Sequence, residues 1–174
     1  MSSIRRIWIP LAATALALVA VSAQAEESRF SAKLTGAGQV PEPTPSKATG
    51  ELKLVVSADG TKIAYTLAVE NLSNPAGSDM HLGPDTANGP SVVKLFPVHG
   101  AAAKKGPFSG VLAEGKFTAA DLQGSMKGAP LSELLEMFAE GNAYLNVHTS
   151  DGMDPPNSGP GDYRLGEIRG QIKR

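Results

Sequence analysis

The sequence predicts a mainly β protein, folded as an antiparallel sandwich or a partly closed barrel with one or two short helices. Three observations lead to this class. Most segments alternate apolar and polar residues with a period of two, as half-buried strands do. Among the 174 residues, 19 glycines and 13 prolines suit many short strands joined by turns. Two alternating runs, 52–56 and 63–70, flank Asp59-Gly60, which is the strongest short hairpin signal in the chain.

The predicted strands follow one another from residue 30 to residue 172. The first covers 30–34, and 36–50 follows as a long loop because its three prolines cannot donate to a sheet ladder. In the hairpin, Asp59 and Gly60 are expected to form a type I′ turn with positive φ at both residues, since that turn matches the twist of strands. Residues 71–78 are expected to form a turn. Further strands are predicted at 91–96, 106–117, 143–149 and 165–172.

Two helical pieces interrupt the strands. Thr118 followed three residues later by Asp121 fits a capping pattern at the start of a short helix. A second helix is predicted from apolar residues at i, i+3, i+4 and i+7, and Gly141 is expected to end it as a C-terminal glycine. The apolar positions are Leu131, Leu134, Leu135 and Phe138.

The start of the chain has the pattern of a secretory signal peptide. Arg5 and Arg6 precede an apolar stretch at 11–21, and the small residues Ala23 and Ala25 stand at −3 and −1 of a cleavage site. The apolar stretch is shorter than the about 20 residues of a membrane span. The prediction is therefore a signal peptide at 1–25 and one domain at 26–174. The mature chain would have no transmembrane segment and would be periplasmic or secreted.

Composition excludes several classes of function. The chain has no cysteine, which rules out disulfides and zinc–thiolate sites. Of its 16 basic residues, 14 would remain in the mature chain beside 17 acidic ones, and no basic block occurs. Nucleic acid is therefore not a predicted partner.

Six segments, in this order, resemble the CHRD domain family, the module named after chordin and found alone in many exported bacterial proteins. The segments are LTGAGQVPEPTPSKATGELKL, DGTKIAYTLAVENLSNP, MHLGPDTANGPSVVKLF, FTAADL, GNAYLNVHT and GEIRGQI. The resemblance extends from residue 30 to 172 and implies an immunoglobulin-like β-sandwich with no accepted catalytic reaction. Two departures stand out: Asp79 replaces the first histidine of the family's A-H-I-H-x-G-P pattern, and the loop 150–165 is longer than usual.

Two of the three histidines lie in predicted strands whose geometry would place ionisable side chains on one face. In a strand, Asp79 and His81 point to the same side, and His148 shares a side with two other polar residues of its own strand. The aliphatic residues between them are expected to face the core. The resemblance implies that the two strands are neighbours, so Asp79, His81 and His148 could converge on the polar side or the rim of the sandwich.

Two interpretations of this convergence stay open. Imidazoles with a carboxylate suit zinc or copper(II), and Met80 or Met153 could add a softer ligand for copper(I). In the other interpretation the histidines are hydrogen-bonded scaffold residues, and His148 helps to fix the loop around His81. His99, which follows a predicted strand, is expected to be an exposed loop residue.

Catalytic alternatives are less well supported. Three histidines without a cysteine cannot build the copper–zinc superoxide dismutase site. A serine hydrolase would need a nucleophile motif such as G-x-S-x-G, which is absent, and Thr149 and Ser150 lie without an evident oxyanion hole. Glu167 and Arg169 share one strand face and are expected to make structural ion pairs with a neighbouring strand.

The sequence thus favours an exported, non-enzymatic CHRD-like binding or structural module, whose ligand or protein partner is unknown. The alternative is a periplasmic copper- or zinc-binding protein that uses His81, His148 and Asp79. An uncharacterised hydrolase ranks last.

Overall fold

The structure, a computed structural model, describes residues 28–97 and 104–174. The predicted signal peptide and His99 lie outside the described residues. Within them, eight strands, one α-helix and three short 3-10 turns form the fold. The strands are β1 (Arg29–Thr35), β2 (Thr49–Val56), β3 (Ile63–Ser73), β4 (Pro75–Leu82), β5 (Ser91–Phe96), β6 (Pro107–Phe117), β7 (Ala143–Thr149) and β8 (Ile168–Gln171), and the helix is α1 (Leu131–Ala139).

The eight strands form one antiparallel sheet in the order β5-β4-β7-β8-β1-β2-β3-β6. The sheet curls into a nearly closed barrel, which confirms the mainly β prediction in its partly closed barrel form. Burial alternates most clearly along β1, β2 and β3, as expected of half-buried strands. The completely buried side chains include one from each of five strands, and each such burial stabilises by roughly 1.5–3 kcal/mol. These residues are Leu34, Leu52, Leu67, Leu145 and Ile168.

Helix α1 packs on this core through the predicted apolar face. Leu134 and Phe138 are buried, and the Phe138 ring meets Phe30 of β1 edge to face, with 5.3 Å between ring centroids. Gly141 follows the helix with a φ of 71° and donates to the carbonyl of Phe138, so the predicted C-terminal glycine is confirmed. The capping pattern of Thr118 and Asp121 is also confirmed, at the start of a 3-10 turn over Ala119–Asp121.

The turn expected at 71–78 is wrong. Strand β3 continues to Ser73, and β4 begins at Pro75. The change of direction is confined to Asn71 and Asn74, whose φ angles are 55° and 49°, a conformation that asparagine tolerates better than most residues. Because β4 begins this early, Asp79 and His81 both lie within a strand that has a neighbour on either side.

The hairpin of β2 and β3 is confirmed, but its turn is not type I′. Only Gly60 has a positive φ, of 68°, and its N–H donates to the carbonyl of Ser57. The Asp59 carboxylate instead accepts from the hydroxyls of Ser57 and Thr61, at 2.6 and 2.8 Å, and from the Thr61 N–H at 3.1 Å. The hydrogen bonds from Ser57 and Thr61 lower the pKa of Asp59 to about 2. Local side-chain bonding thus selects a longer turn than the dipeptide alone suggests.

Gly60→Val should destabilise the protein by roughly 1 kcal/mol or more, because a β-branched residue resists a left-handed backbone. The check is the free energy of unfolding in urea. Ala58→Val is the matched control, since Ala58 is exposed in the same turn and does not have a positive φ. Equal stability of the two variants would contradict this role of Gly60.

Candidate functional site

The pairing of β4 with β7 brings Asp79, His81 and His148 together. In this antiparallel register Asp79 lies opposite Asn146, His81 opposite Tyr144, and His148 opposite Gly77. Met80 and Leu145 are fully buried on the core side, so the alternating polar residues project from the outer face of the barrel. One atom from each of Asp79, His81 and His148 lies within 4.8 Å of the other two.

The Asp79 carboxylate stands between the two imidazoles. His148 Nε2 lies 2.8 Å from Asp79 Oδ1, and His81 Nε2 lies 3.3 Å from Oδ2. The first distance is a good hydrogen bond. The His81 Nε2 atom is buried and, among the described residues, has no hydrogen-bond partner of acceptable geometry. Both nitrogens therefore point at one carboxylate, and one of them is left unsatisfied.

Backbone carbonyls hold the other nitrogen of each ring. His81 Nδ1 lies 2.9 Å from the carbonyl oxygen of Gly89, and His148 Nδ1 lies 3.0 Å from that of Arg164. A carbonyl oxygen only accepts, so each Nδ1 is the nitrogen that carries a proton. Each Nε2 then either faces Asp79 with a lone pair or carries a second proton, which makes its ring an imidazolium.

Electrostatics in this group favour the charged forms of Asp79 and His81. Burial by itself would raise the pKa of Asp79, but its interactions with His148, His81 and Ser91 outweigh burial and hold the pKa well below its usual range. Burial by itself would lower the pKa of His81, but the Asp79 carboxylate and the Gly89 carbonyl outweigh it and raise the pKa. The three side chains are only 15–21% exposed, so solvent screens these interactions weakly.

An aromatic and cationic stack supports His81 from the side. Its ring lies parallel to Tyr144, with 4.9 Å between centroids and 8° between planes. The Arg169 guanidinium lies over the Tyr144 ring at 3.5 Å from its centroid. Since β4, β7 and β8 are neighbours in that order, Tyr144 lies between His81 and Arg169. The Tyr144 hydroxyl also accepts from the N–H of Gly89, whose carbonyl holds His81.

The outer face of β7 and β8 is buried rather than forming an open rim. Arg169 is 2% exposed, and its guanidinium donates to the carbonyls of Pro84 and Ala87 and to the Asn88 side chain. Gln39 donates to the side chain of Asn146, which in turn donates to the Leu165 carbonyl. The loops 36–48, 83–90 and 150–167 therefore cover this polar layer.

The predicted ion pairs of Glu167 and Arg169 are wrong. Glu167 is 1% exposed, and its carboxylate accepts from the hydroxyls of Ser46 and Thr149, both at 2.5 Å, and from the N–H of Gly161 at 2.7 Å. Neutral donors satisfy the carboxylate, and neutral acceptors satisfy the guanidinium. The alternation of β8 indicated a shared face, but no local signal indicated that loops would supply the partners.

Other candidate residues lie apart from this group. Met80 is fully buried in the core, and the Met153 side chain is 68% exposed. Thr149 Oγ1 donates to Glu167, and Ser150 Oγ accepts from the N–H of Gly152; within the described residues neither hydroxyl makes a hydrogen bond to His148. Sequence reasoning did not identify Ser91 of β5, which lies opposite His81 and contributes to the lowered pKa of Asp79.

The chain belongs to the CHRD domain family. The family model, described as the CHRD domain, matches residues 30–156, which is most of the chain. The match contains all three residues of the Asp79, His81 and His148 group and ends within the long loop after β7. No curated protein matches the chain significantly. In the part of the chain that the structure describes, no helix combines the length and the apolar character needed to cross a bilayer.

The protein freed of metal by a chelator should lose stability as the pH rises from 6 to 8.5. The raised pKa of His81 means that its contribution is fully present below the unfolded value of about 6.5 and is lost as the pH passes the higher folded value. Asp79 stays ionised throughout this window, because its pKa is lowered. Urea unfolding at several pH values measures the change.

His81→Asn should reduce this loss of stability, whereas His99→Asn should leave it unchanged. A wild-type stability that does not fall over this window, or a fall that is the same in His81→Asn, would contradict the assignment to His81.

Proposed function

We propose that this CHRD-domain protein is an exported, non-enzymatic binding module, and that the group formed by Asp79, His81 and His148 is its ligand site. Family membership supports the binding role, because CHRD domains are generally non-enzymatic and extracellular. The spatial arrangement of the site residues also supports a non-enzymatic role. In a hydrolytic triad a histidine stands between the nucleophile and the carboxylate, whereas here the carboxylate stands between two histidines.

The ligand that this site favours is a divalent transition-metal ion. The observation that carries this candidate is the convergence of two Nε2 atoms on one carboxylate while both Nδ1 atoms are held by carbonyls. Backbone acceptors on the outer nitrogen are the usual support for a metal-binding histidine, since they orient the ring and set its tautomer. Without a cation between them, unprotonated Nε2 atoms would face the carboxylate with opposed lone pairs.

Zinc and copper(II) suit this set of ligands best. Two imidazole nitrogens and one carboxylate oxygen are donors that both ions accept. Zinc–nitrogen bonds of about 2.0–2.1 Å at tetrahedral angles place ligand atoms about 3.4 Å apart. Donor atoms within 4.8 Å of one another would need only small side-chain rotations to reach that spacing. Neither Met80 nor Met153 supports a copper(I) site, because one is in the core and the other is 68% exposed.

Calorimetric titration of the chelator-treated protein with Zn²⁺ and Cu²⁺ should give saturable heat at micromolar protein. Metal that binds only the native state should also raise the melting temperature with the logarithm of the metal concentration. At a concentration of 100 times Kd, the free energy of unfolding should increase by about 2.7 kcal/mol. His81→Ala and His148→Ala should each abolish this rise, and His99→Ala should retain it. Affinity should fall as the pH drops, because protons compete for Nε2.

The scaffold interpretation predicts the opposite pattern. Both alanine variants would then lower the melting temperature of the metal-free protein, and metal would cause no specific change in any form. The absence of saturable heat from wild type would remove the metal candidate and leave a binding module for another ligand.

If the signal peptide is removed during export, the mature protein should begin at Glu26. When the full chain is expressed in a bacterium with a periplasm, N-terminal sequencing of the periplasmic fraction should find Glu26. Ala25→Asp should block cleavage, because the −1 position requires a small residue. Mature periplasmic protein that still carries Met1 would overturn the signal-peptide interpretation.

A further inference from the structure

A cavity of about 360 Å³ opens beside two of the three proposed metal ligands. Asp79 and His148 line it, whereas His81 does not. The rest of its lining includes Lys94 of β5, the apolar residues Ala76 and Pro97, and the polar residues Ser150 and Arg164. The volume lies within the usual range for pockets that take small molecules, about 300–1,000 Å³.

The proposed metal site adjoins this cavity through Asp79 and His148. Tyr144 covers one face of the His81 ring, and carbonyls occupy the outer nitrogens of both histidines. Three protein ligands leave at least one position of a four-coordinate ion for an external group. Since Asp79 and His148 both border the cavity, an external ligand would approach the ion from there.

The charge of this cavity suits an anion. Lys94 lies directly opposite Asp79 in the register of β4 and β5, and its side chain is exposed. Among the described residues, no carboxylate oxygen lies within ion-pair distance of Lys94 Nζ. Arg164 also lines the cavity, but its guanidinium is engaged by Asp154, by Asp162 and by the carbonyl of Met153. A divalent ion beside one carboxylate and one free ammonium leaves excess positive charge.

We infer that this cavity binds a small carboxylate, which ligates the metal at its open position and places its charge near Lys94. This inference rests on the metal site proposed above. The apolar residues Ala76 and Pro97 on the cavity lining would contact a short hydrocarbon tail, so a carboxylate with such a tail fits better than a fully polar anion such as phosphate. The wild-type protein thus binds two ligands in sequence, first the ion and then the carboxylate.

Cobalt(II) provides the probe, because its visible spectrum reports both its own binding and any change of its ligands. Addition of butyrate to the Co²⁺-loaded protein should change the spectrum saturably, acetate should bind more weakly, and neutral butyramide should have no effect. Lys94→Gln should weaken butyrate binding by roughly twofold to fivefold, which lies in the range for an exposed charge pair. Lys94→Arg should retain the affinity.

Lys116→Gln is the matched control, because Lys116 lies on β6 outside this cavity and should not affect butyrate binding. Normal Co²⁺ binding with no spectral response to butyrate would overturn the carboxylate inference alone. Tighter binding of inorganic phosphate than of butyrate, or equal butyrate affinity in Lys94→Gln, would also overturn it. Failure of Co²⁺ itself to bind would overturn the metal proposal as well, so the two failures are distinguishable.

Discussion

The register between β4 and β7 is the constraint on which the site depends. Met80 and Leu145 lie opposite each other in that register and are buried in the core. Because successive side chains alternate, the same pairing places Asp79, His81 and His148 on the outer face. A shift by one residue would expose the apolar set and bury the charged one. The hydrophobic core therefore enforces the geometry of the polar group outside it.

A second layer, made of loops, then completes the group. The two histidines bond to the backbone of different loops, 83–90 and 150–167, and so connect both loops to adjacent strands. The same loops help to satisfy the buried charges of Glu167 and Arg169, with the N–H of Gly161 at Glu167 and the carbonyls of Pro84 and Ala87 at Arg169. A buried charge is tolerated only when hydrogen bonds compensate it. Loop conformation and the geometry of the site thus depend on each other.

The group of Asp79, His81 and His148 brings an ionised carboxylate and two imidazoles together and leaves one buried polar atom unsatisfied among the described residues. Asp79 is held ionised, both Nδ1 atoms are committed to carbonyls, and the buried Nε2 atom of His81 has no hydrogen-bond partner among the described residues. Protons or a metal ion can fill the space between the nitrogens and the carboxylate, and the two compete for the same lone pairs. The CHRD fold alone does not determine whether protons or a metal ion bind there, because a fold does not determine the function of its sites.

Local patterns in the sequence were enough to predict the mainly β class, the strands β1, β5 and β7, the helix α1 with its terminal glycine, and the hairpin of β2 and β3. They also placed Asp79 and His81 on one strand face. Only the tertiary structure decided that His148, 69 residues away from Asp79, makes contact with it, and that loops bury the outer face of β8. Periodicity and turn residues report only on interactions between residues that are close together in the chain. Strand order and loop packing depend on contacts between distant segments, which no local pattern specifies.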